Sequence, residues 1–496
     1  MYGCGFGPRG RPTARSRKQP VSVLESVRHR GPAGLAAWGS IGALAVAVGV
    51  AVGAEPKLGL ALALAVTVGA VMVVRPASTL WILILSVFLE VVTVGGVAVS
   101  RIVAPLALLS VLVELLRGRA WVPAGPQLFW ATAYSTVALA SGLWTVSTSH
   151  TLTLLASLAI ALTYMLCFAS LVDSERELRI VLHVLAFASL LIGVVSLASF
   201  AGVSLVPAGS LQGGRAQGGV GDPNFFANVQ LVAFPVILML AADAKALWLR
   251  ATLAFAGLVA LASILSTLSR GGLIALMFVL VILLLIPARS LFPSRIYKTL
   301  VIVMLVAGLL TLSTRPYFRG EVVKRATSIF SNEAESTGSS AGSGREELWK
   351  AARHSISERP LLGVGFGAFP SVSNDLLFRT PGVDLTRVSA HPQGLEAHSA
   401  YIGTTADLGF VGLAAFLALV GSTTLALRRS AVRASRAGAS YLSRVGNALV
   451  LSMVGWAISS FFIETETARP LWIVVGLSLG LPKLIDRHLS SAGTGV

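Results

Sequence analysis

The chain has 496 residues, of which 55% are hydrophobic and 12% charged, and its mean hydropathy is +0.79. A water-soluble fold could not cover so much apolar surface, so the composition excludes a soluble globular protein and indicates a polytopic membrane protein. The net charge of +17 comes from 39 Lys and Arg against 22 Asp and Glu. This excess flanks apolar segments and does not interleave with aromatic residues, so we do not expect nucleic-acid binding.

The N-terminal head, residues 1–33, contains seven basic residues and one acid, Glu25. Its charged region is longer than that of a signal peptide, and no small-residue cleavage site follows the first apolar run. We therefore do not expect a cleavable signal. The excess of basic residues predicts that this head is cytoplasmic, and the apolar runs that follow predict transmembrane helices over residues 34–201.

About fourteen apolar segments approach the roughly 20 residues that a membrane-spanning helix needs. In chain order they are 34–54, 58–74, 78–97, 102–116, 127–147, 151–172, 179–201, 225–242, 248–267, 271–287, 296–313, 399–427, 445–463 and 470–485. The sequence predicts an all-α polytopic membrane protein with about 12–14 transmembrane helices and one large extracytoplasmic loop between the late spans.

Lys and Arg are concentrated in alternate links between these spans. One set of links includes 428–444, which contains five arginines, whereas the other set carries single basic residues such as Arg101 and Arg215. Because basic residues are retained on the cytoplasmic side, both termini are predicted to be cytoplasmic. Residues 428–496 are expected to form the last transmembrane helices and a short cytoplasmic tail.

The link 202–224 is rich in glycine and leads through Arg215, Asp222 and Asn224 into a predicted span. Glycine lets a backbone approach a ligand closely, and a guanidinium offers planar donors suited to phosphate, so Arg215 is a candidate phosphate ligand. A solvated Arg215 in a turn is the alternative. Asp222 or Asn224 is expected to cap the next helix, since both residue types favour that position.

Arg270 lies in the sequence SRGG, residues 269–272, between two predicted spans with almost no loop. A positive charge at this place opposes the cytoplasmic bias of the other basic residues. Either the side chain extends to lipid headgroups or it has a function, and physical chemistry alone favours neither.

The segment 314–397 is the one long polar stretch between predicted spans, and it is external by the same topology. Residues 331–343 are rich in Ser and Gly, which indicates a flexible segment. Gly344–Ser355 is predicted to form a short helix, with Ser343 as its N-cap.

The external loop re-enters the membrane at the sequence EAHSAY, residues 396–401. A histidine at this boundary, His398, is a candidate general base, because its ordinary pKa lies close to neutral pH. A capping or packing role for a lone histidine is the alternative.

Three further features carry weaker signals. The glycines of 363–367 resemble a nucleotide-binding loop, but no strand–helix pattern surrounds them, which argues against a dinucleotide site. Glu90 falls within the predicted span 78–97, where pairing with a basic residue of a neighbouring helix is the simplest expectation. Glu464 and Glu466 follow a span on the outer side and are expected to be solvated, with contact to a cation or sugar as the alternative.

The order of these pieces resembles the O-antigen ligase and polysaccharide polymerase family, whose shared core is a Wzy-type membrane domain. The resemblance runs from about Arg215 to Leu413, within a predicted core of residues 202–427. The matching pieces are Arg215 with DPNFFA (222–227), SRGG (269–272), Arg345, Trp349, PLLGVGFG (360–367), HSAY (398–401) and DLGFVG (407–412). Residues 1–200 contribute only hydropathy.

Members of this family transfer a glycan from an undecaprenyl-pyrophosphate carrier to an acceptor hydroxyl on the outer face of the plasma membrane. The resemblance implies that Arg215 and Arg270 bind the pyrophosphate, and that His398 orients or deprotonates the acceptor hydroxyl for inverting attack. Arg345 and Asn224 are further candidates for substrate contact. We expect no cofactor and no metal, because arginines can supply the positive charge.

A transporter or flippase for a polysaccharide or a lipid-linked oligosaccharide is the alternative in another class. Transporters place polar residues at mid-bilayer on broken helices, whereas here the polar residues concentrate at the outer ends of the spans. A structural membrane protein would leave the outer arginines and His398 without a role. Ligases and polymerases share these motifs, so the acceptor, whether glycan, lipid or protein, stays open.

Overall fold

The computed structural model describes residues 56–90, 92–94, 97–121, 123–203, 211–212, 214–313, 320, 344–386, 388 and 394–493. The chain divides into two units, residues 1–64 and 65–496, and only the start of one helix is described in the first unit. The predicted basic head, the predicted span 34–54, the Ser- and Gly-rich segment and the predicted N-cap Ser343 all lie outside the described residues.

Regular structure in the described part of the chain is almost entirely helical. The α-helices are α1 (Pro56–Val74), α2 (Pro76–Val87), α3 (Val99–Leu116), α4 (Pro126–Ala140), α5 (Thr148–Leu171), α6 (Glu175–Phe200), α7 (Pro223–Asp243), α8 (Leu247–Ser266), α9 (Arg270–Leu285), α10 (Ala288–Leu291), α11 (Arg295–Ser313), α12 (Gly344–Glu358), α13 (Phe369–Arg379), α14 (Ala400–Arg436), α15 (Ser440–Ser459) and α16 (Arg469–Gly493). Two antiparallel pairs of two-residue strands complete it: β1 (Thr93–Val94) with β2 (Val97–Ala98), and β3 (Leu211–Gln212) with β4 (Arg215–Ala216).

Seven helices in the described residues are long and apolar enough to cross a membrane. They are α3, α5, α6, α7, α8, α14 and α15, the last with the 3₁₀ turn that extends it to Phe462. Residues 65–74, α2 and α9 are apolar but shorter. The prediction of an all-α polytopic membrane protein is therefore confirmed.

The predicted span 78–97 is wrong in its second half. Helix α2 ends at Val87, and the chain turns into the β1–β2 pair. The β-branched residues of 91–94, followed by two glycines, favour a short hairpin over a continued helix. Glu90 therefore lies in a turn beyond the helix, and the expected pairing is confirmed, because Arg469 Nη2 lies 2.9 Å from Glu90 Oε1.

Helix α7 forms the centre of the transmembrane core. It is apolar on all sides and packs against α6, α8, α9 and α15, and nearly all of its residues are buried. Hydrogen bonds add specificity to this packing: Asn228 Nδ2 donates to Ser459 Oγ (2.6 Å), and Ser452 Oγ donates to the Val232 carbonyl (2.7 Å). At 1.5 Å per residue α7 is about 30 Å long, so its two ends lie near opposite faces of the core.

The polar loop adds a second, smaller core above the helical bundle. The helix predicted at Gly344–Ser355 is confirmed as α12, which continues to Glu358. It packs against α13 through buried apolar side chains, among them Leu348, Ala352 and Phe369. This small core holds one face of α12 against the start of α14.

Candidate functional site

Arg215 is positioned by the segment that leads into α7. Its Nε donates to the Thr267 carbonyl (2.9 Å), and its Nη2 donates to Asn224 Oδ1 (3.1 Å). The Asp222 side chain accepts from the Phe225 amide (2.8 Å), so Asp222 is the N-cap of α7. Asn224 does not cap the helix and instead orients the Arg215 guanidinium.

Arg270 is the first residue of α9, and the first turn of this helix packs closely against its neighbours. The Ser269 side chain caps the helix by accepting from the Gly272 amide (3.1 Å). A Cβ added at Gly271 would lie 2.6 Å from Phe462 Cβ, and one added at Gly272 would lie 2.8 Å from Ala227 Cβ. Only glycines allow α9 to approach α7 and the end of α15 this closely, and this packing fixes the place of Arg270.

Arg345, in the first turn of α12, brings a third guanidinium to the same place. Its Nε is buried and has no hydrogen-bond partner in the described structure. Burial, together with the positive charges of Arg215 and Arg270, lowers the pKa of Arg345 to about 10, while Asp222 acts in the opposite direction. Three arginines from three separate segments therefore converge, with the Asp222 carboxylate beside them.

His398 belongs to this cluster as well. Burial lowers its pKa from 6.5 to about 4, the nearby Arg345 acts in the same direction, and Asp222 acts against them. At neutral pH the imidazole is therefore uncharged. Its backbone has φ +49°, a left-handed conformation that costs about 1–3 kcal/mol for a residue other than glycine.

Neighbouring contacts hold His398 in this conformation. On one side, the Ala397 carbonyl accepts from Trp349 Nε1 of α12 (2.9 Å). On the other side, the Ala400 amide donates to the Ile463 carbonyl (3.0 Å), and the buried Ser399 side chain is the N-cap of α14. The loop helix and the end of α15 thus fix the histidine backbone between them.

Two acidic residues behind the histidine were missed as part of the site. The expectation that Glu464 and Glu466 are solvated is wrong, because Glu466 is only 5% exposed and the Glu464 carboxylate accepts from the Ala397 amide. Burial raises the pKa of both carboxyls, that of Glu466 to about 8. Glu464 also lines a cavity of about 330 Å³ with Asp407 and His150. In the sequence, the two acids stand out because they directly follow an apolar span. Their burial could not be predicted, because it depends on the loop that covers them.

The glycine-rich motif at 363–367 and the motif at 407–412 form one structural unit. Helix α14 is longer than the predicted span 399–427, and it is broken at Gly409, which has φ +64°. The Gly365 amide donates to the Asp407 carbonyl (2.8 Å), and the Asp407 carboxylate accepts from the amides of Gly367 (2.7 Å) and Phe369 (2.9 Å). The backbone N–H groups of the glycine loop therefore bind the break in α14.

The structure brings together residues that are far apart in the sequence: Arg215, Arg270, Arg345 and His398, with Asn224 behind Arg215. In a comparison with protein-family models, residues 255–417 match the O-antigen ligase family. This segment contains three of the four clustered residues, and Arg215 precedes it. A search of curated proteins found no match. The chain is therefore a multi-pass membrane protein in which residues 255–417 are similar to the O-antigen ligase domain.

Proposed function

We propose that the chain transfers a saccharide from undecaprenyl pyrophosphate to an acceptor hydroxyl at the outer face of the plasma membrane. The observation that carries this proposal is the convergence of three arginines and one neutral histidine at the N-terminal end of α7. Arginines can stabilise an anionic leaving group, and a neutral histidine beside them can accept the proton of a hydroxyl nucleophile.

The arginines have the role of binding the pyrophosphate. Arg215, Arg270 and Arg345 are permanently charged near neutral pH, and guanidinium–phosphate hydrogen bonds are among the stronger ones in proteins. Asp222 balances only part of their charge. A bound pyrophosphate relieves their mutual repulsion, and the same contacts stabilise the negative charge that grows on the leaving group.

His398 has the role of general base. An imidazole nitrogen accepts the proton of the acceptor hydroxyl while its oxygen bonds to the anomeric carbon. The bond from that carbon to the pyrophosphate oxygen breaks, and the electron pair leaves on undecaprenyl pyrophosphate. A single displacement of this kind inverts the anomeric configuration and needs no metal in the proposed mechanism.

The excess of basic residues in alternate links supports the orientation. It assigns both termini to the cytoplasm and the arginine–histidine cluster to the outer face. The acceptor is a hydroxyl of a glycan, a lipid or a protein. The arginine cluster recognises the carrier and does not distinguish among these acceptors.

Glycan transfer in membranes tests the proposal. We predict that wild type transfers saccharide from its undecaprenyl-pyrophosphate carrier, whereas Arg270→Gln and His398→Asn lose about 10²-fold or more of the activity at equal expression. Asparagine is chosen because it tolerates a left-handed backbone. Matched controls on α12 are Arg353→Gln and His354→Gln, which should leave the rate within about twofold of wild type.

Full activity of His398→Asn would contradict the role of His398 as the general base. Full activity of Arg270→Gln would contradict the role of the arginine cluster. If wild type forms no product with glycan, lipid or protein acceptors but moves the lipid-linked glycan across the bilayer, the transporter alternative is correct.

A further inference from the structure

A second polar cavity lies at the other end of α7, about 30 Å from Asp222 along the helix. It has a volume of about 850 Å³ and is formed by the beginning of α6, the end of α7, the beginning of α8 and the beginning of α15. The residues that define its character are Arg179, His183, Phe187, Asp243, Lys245 and Arg444. None of them belongs to the glycan-transfer site.

The cavity carries an excess of positive charge. Asp243 is its one lining carboxylate, and it pairs with both Arg179 (2.8 Å) and Arg444. Arg444 Nε is buried and has no hydrogen-bond partner among the described residues. Lys245 is exposed at the cavity and forms no ion pair in the described part of the chain. Arg179 also pairs with Glu175 (3.3 Å), so two carboxylates face three cations, and the remaining positive charge favours an anion.

One wall of the cavity is apolar. Ile180, Val184 and Phe187 lie four and three residues apart on one face of α6, and Leu249 of α8 lines the cavity with them. Phe187 is 60% exposed. A charged rim beside an exposed apolar wall fits an amphipathic anion better than a free inorganic one.

We propose that this cavity binds an anionic glycerophospholipid from the leaflet opposite the glycan-transfer site. The phosphodiester lies at Lys245 and Arg444, and an acyl chain runs along Phe187 and Val184. The proposed orientation assigns this end of α7 to the cytoplasmic leaflet, where basic pockets between transmembrane helices bind anionic headgroups. The proposal does not depend on the glycosyltransferase activity.

Lipid binding to the purified full-length protein tests this assignment. Native mass spectrometry measures the affinity for phosphatidylglycerol and for phosphatidylcholine of the same chain length. We expect wild type to prefer phosphatidylglycerol, and we expect Lys245→Gln to lower that affinity about fivefold, the effect of one basic charge near an anionic lipid. Arg429→Gln removes an exposed charge of α14 outside the cavity and should leave the affinity unchanged.

Two further measurements distinguish binding of a lipid from binding of inorganic phosphate. Inorganic phosphate at millimolar concentration should not displace bound phosphatidylglycerol, and Phe187→Ser should weaken phosphatidylglycerol binding. Equal affinity of wild type for the two lipids, an unchanged affinity of Lys245→Gln, or displacement by inorganic phosphate would each overturn the proposal. Glycan transfer by Lys245→Gln is a separate measurement, and its result does not bear on this assignment.

Discussion

The backbone of His398 is held by hydrogen bonds of the residues that precede and follow it. The Ala397 carbonyl accepts from Trp349, and the Ala400 amide donates to Ile463. These contacts stabilise a left-handed histidine that would not persist alone. The imidazole in this conformation is close enough to Arg345 and Asp222 for their charges to act on its pKa.

The pH dependence of transfer follows from the histidine pKa. A base must be neutral to accept a proton, and burial with Arg345 lowers the pKa of His398 from 6.5 to about 4. The neutral form therefore persists as the pH falls to about 4 and is lost below it. We predict that kcat/KM falls on the acid side with a midpoint near pH 4, and that kcat falls at a higher pH because bound pyrophosphate raises the pKa.

Initial rates across this range, with recovery of activity on return to neutral pH as the control for unfolding, check the prediction. A midpoint of kcat/KM at 6.5 would show that His398 is solvated in the free protein. A kcat midpoint below that of kcat/KM would contradict the placement of the pyrophosphate beside it.

At the scale of elements, the site depends on how closely α9 packs. Its first turn lies against Phe462 and Ala227 at the glycine pair that follows Arg270. The break in α14 is similar, because at Gly409 the helix backbone lies close to the loop backbone at Leu361. In both features a glycine lets its segment lie close to a neighbouring one.

Gly271→Ala tests the packing of α9. The added Cβ would lie 2.6 Å from Phe462 Cβ, so the helix must shift. Such overpacking costs about 1–3 kcal/mol of the free energy of unfolding, and it displaces Arg270. We predict a lower Tm and a transfer rate reduced about tenfold or more. Gly421→Ala is the matched control in α14, since no atom lies within 4 Å of its added Cβ. This variant should keep the Tm and the transfer rate of wild type. Unchanged activity of Gly271→Ala would show that the position of Arg270 does not matter.

At the scale of the whole molecule, α7 links two polar regions on opposite faces. Asp222 caps its N-terminal end beside the arginine cluster, and Asp243 at its other end pairs with Arg179 and Arg444. The buried length of the helix between them is apolar except for Asn228 and Gln230. The two proposals thus assign the glycan carrier and an anionic lipid to opposite ends of α7.

Hydropathy and local patterns predicted the fold class, the helix α12 and the cap of α7. These features depend on residues that are close in sequence, such as Asp222 and the helix it begins. Local chemistry made Arg215 and His398 candidates, and the resemblance to a known family implied roles for them and for Arg270. Their convergence requires the packing of α7, α9, α12 and α14, and no local rule contains that information.

The failures have a common physical cause. Glu464 and Glu466 read as solvated because an acid after an apolar span normally faces water, and only the folded loop removes them from it. The predicted span 399–427 did not include the break at Gly409, because the left-handed backbone there depends on the distant segment at Leu361. Contacts between remote segments decided both cases.

Donor binding measured apart from transfer tests the central claim, that one site divides its work between arginines and a histidine. With purified full-length protein and an undecaprenyl-pyrophosphate saccharide, we predict that Arg270→Gln and Arg345→Gln bind at least about tenfold more weakly than wild type. His398→Asn should bind within about twofold of wild type and yet transfer about 10²–10⁴-fold more slowly. Normal donor binding by the arginine variants, or loss of binding in His398→Asn equal to theirs, would contradict this division.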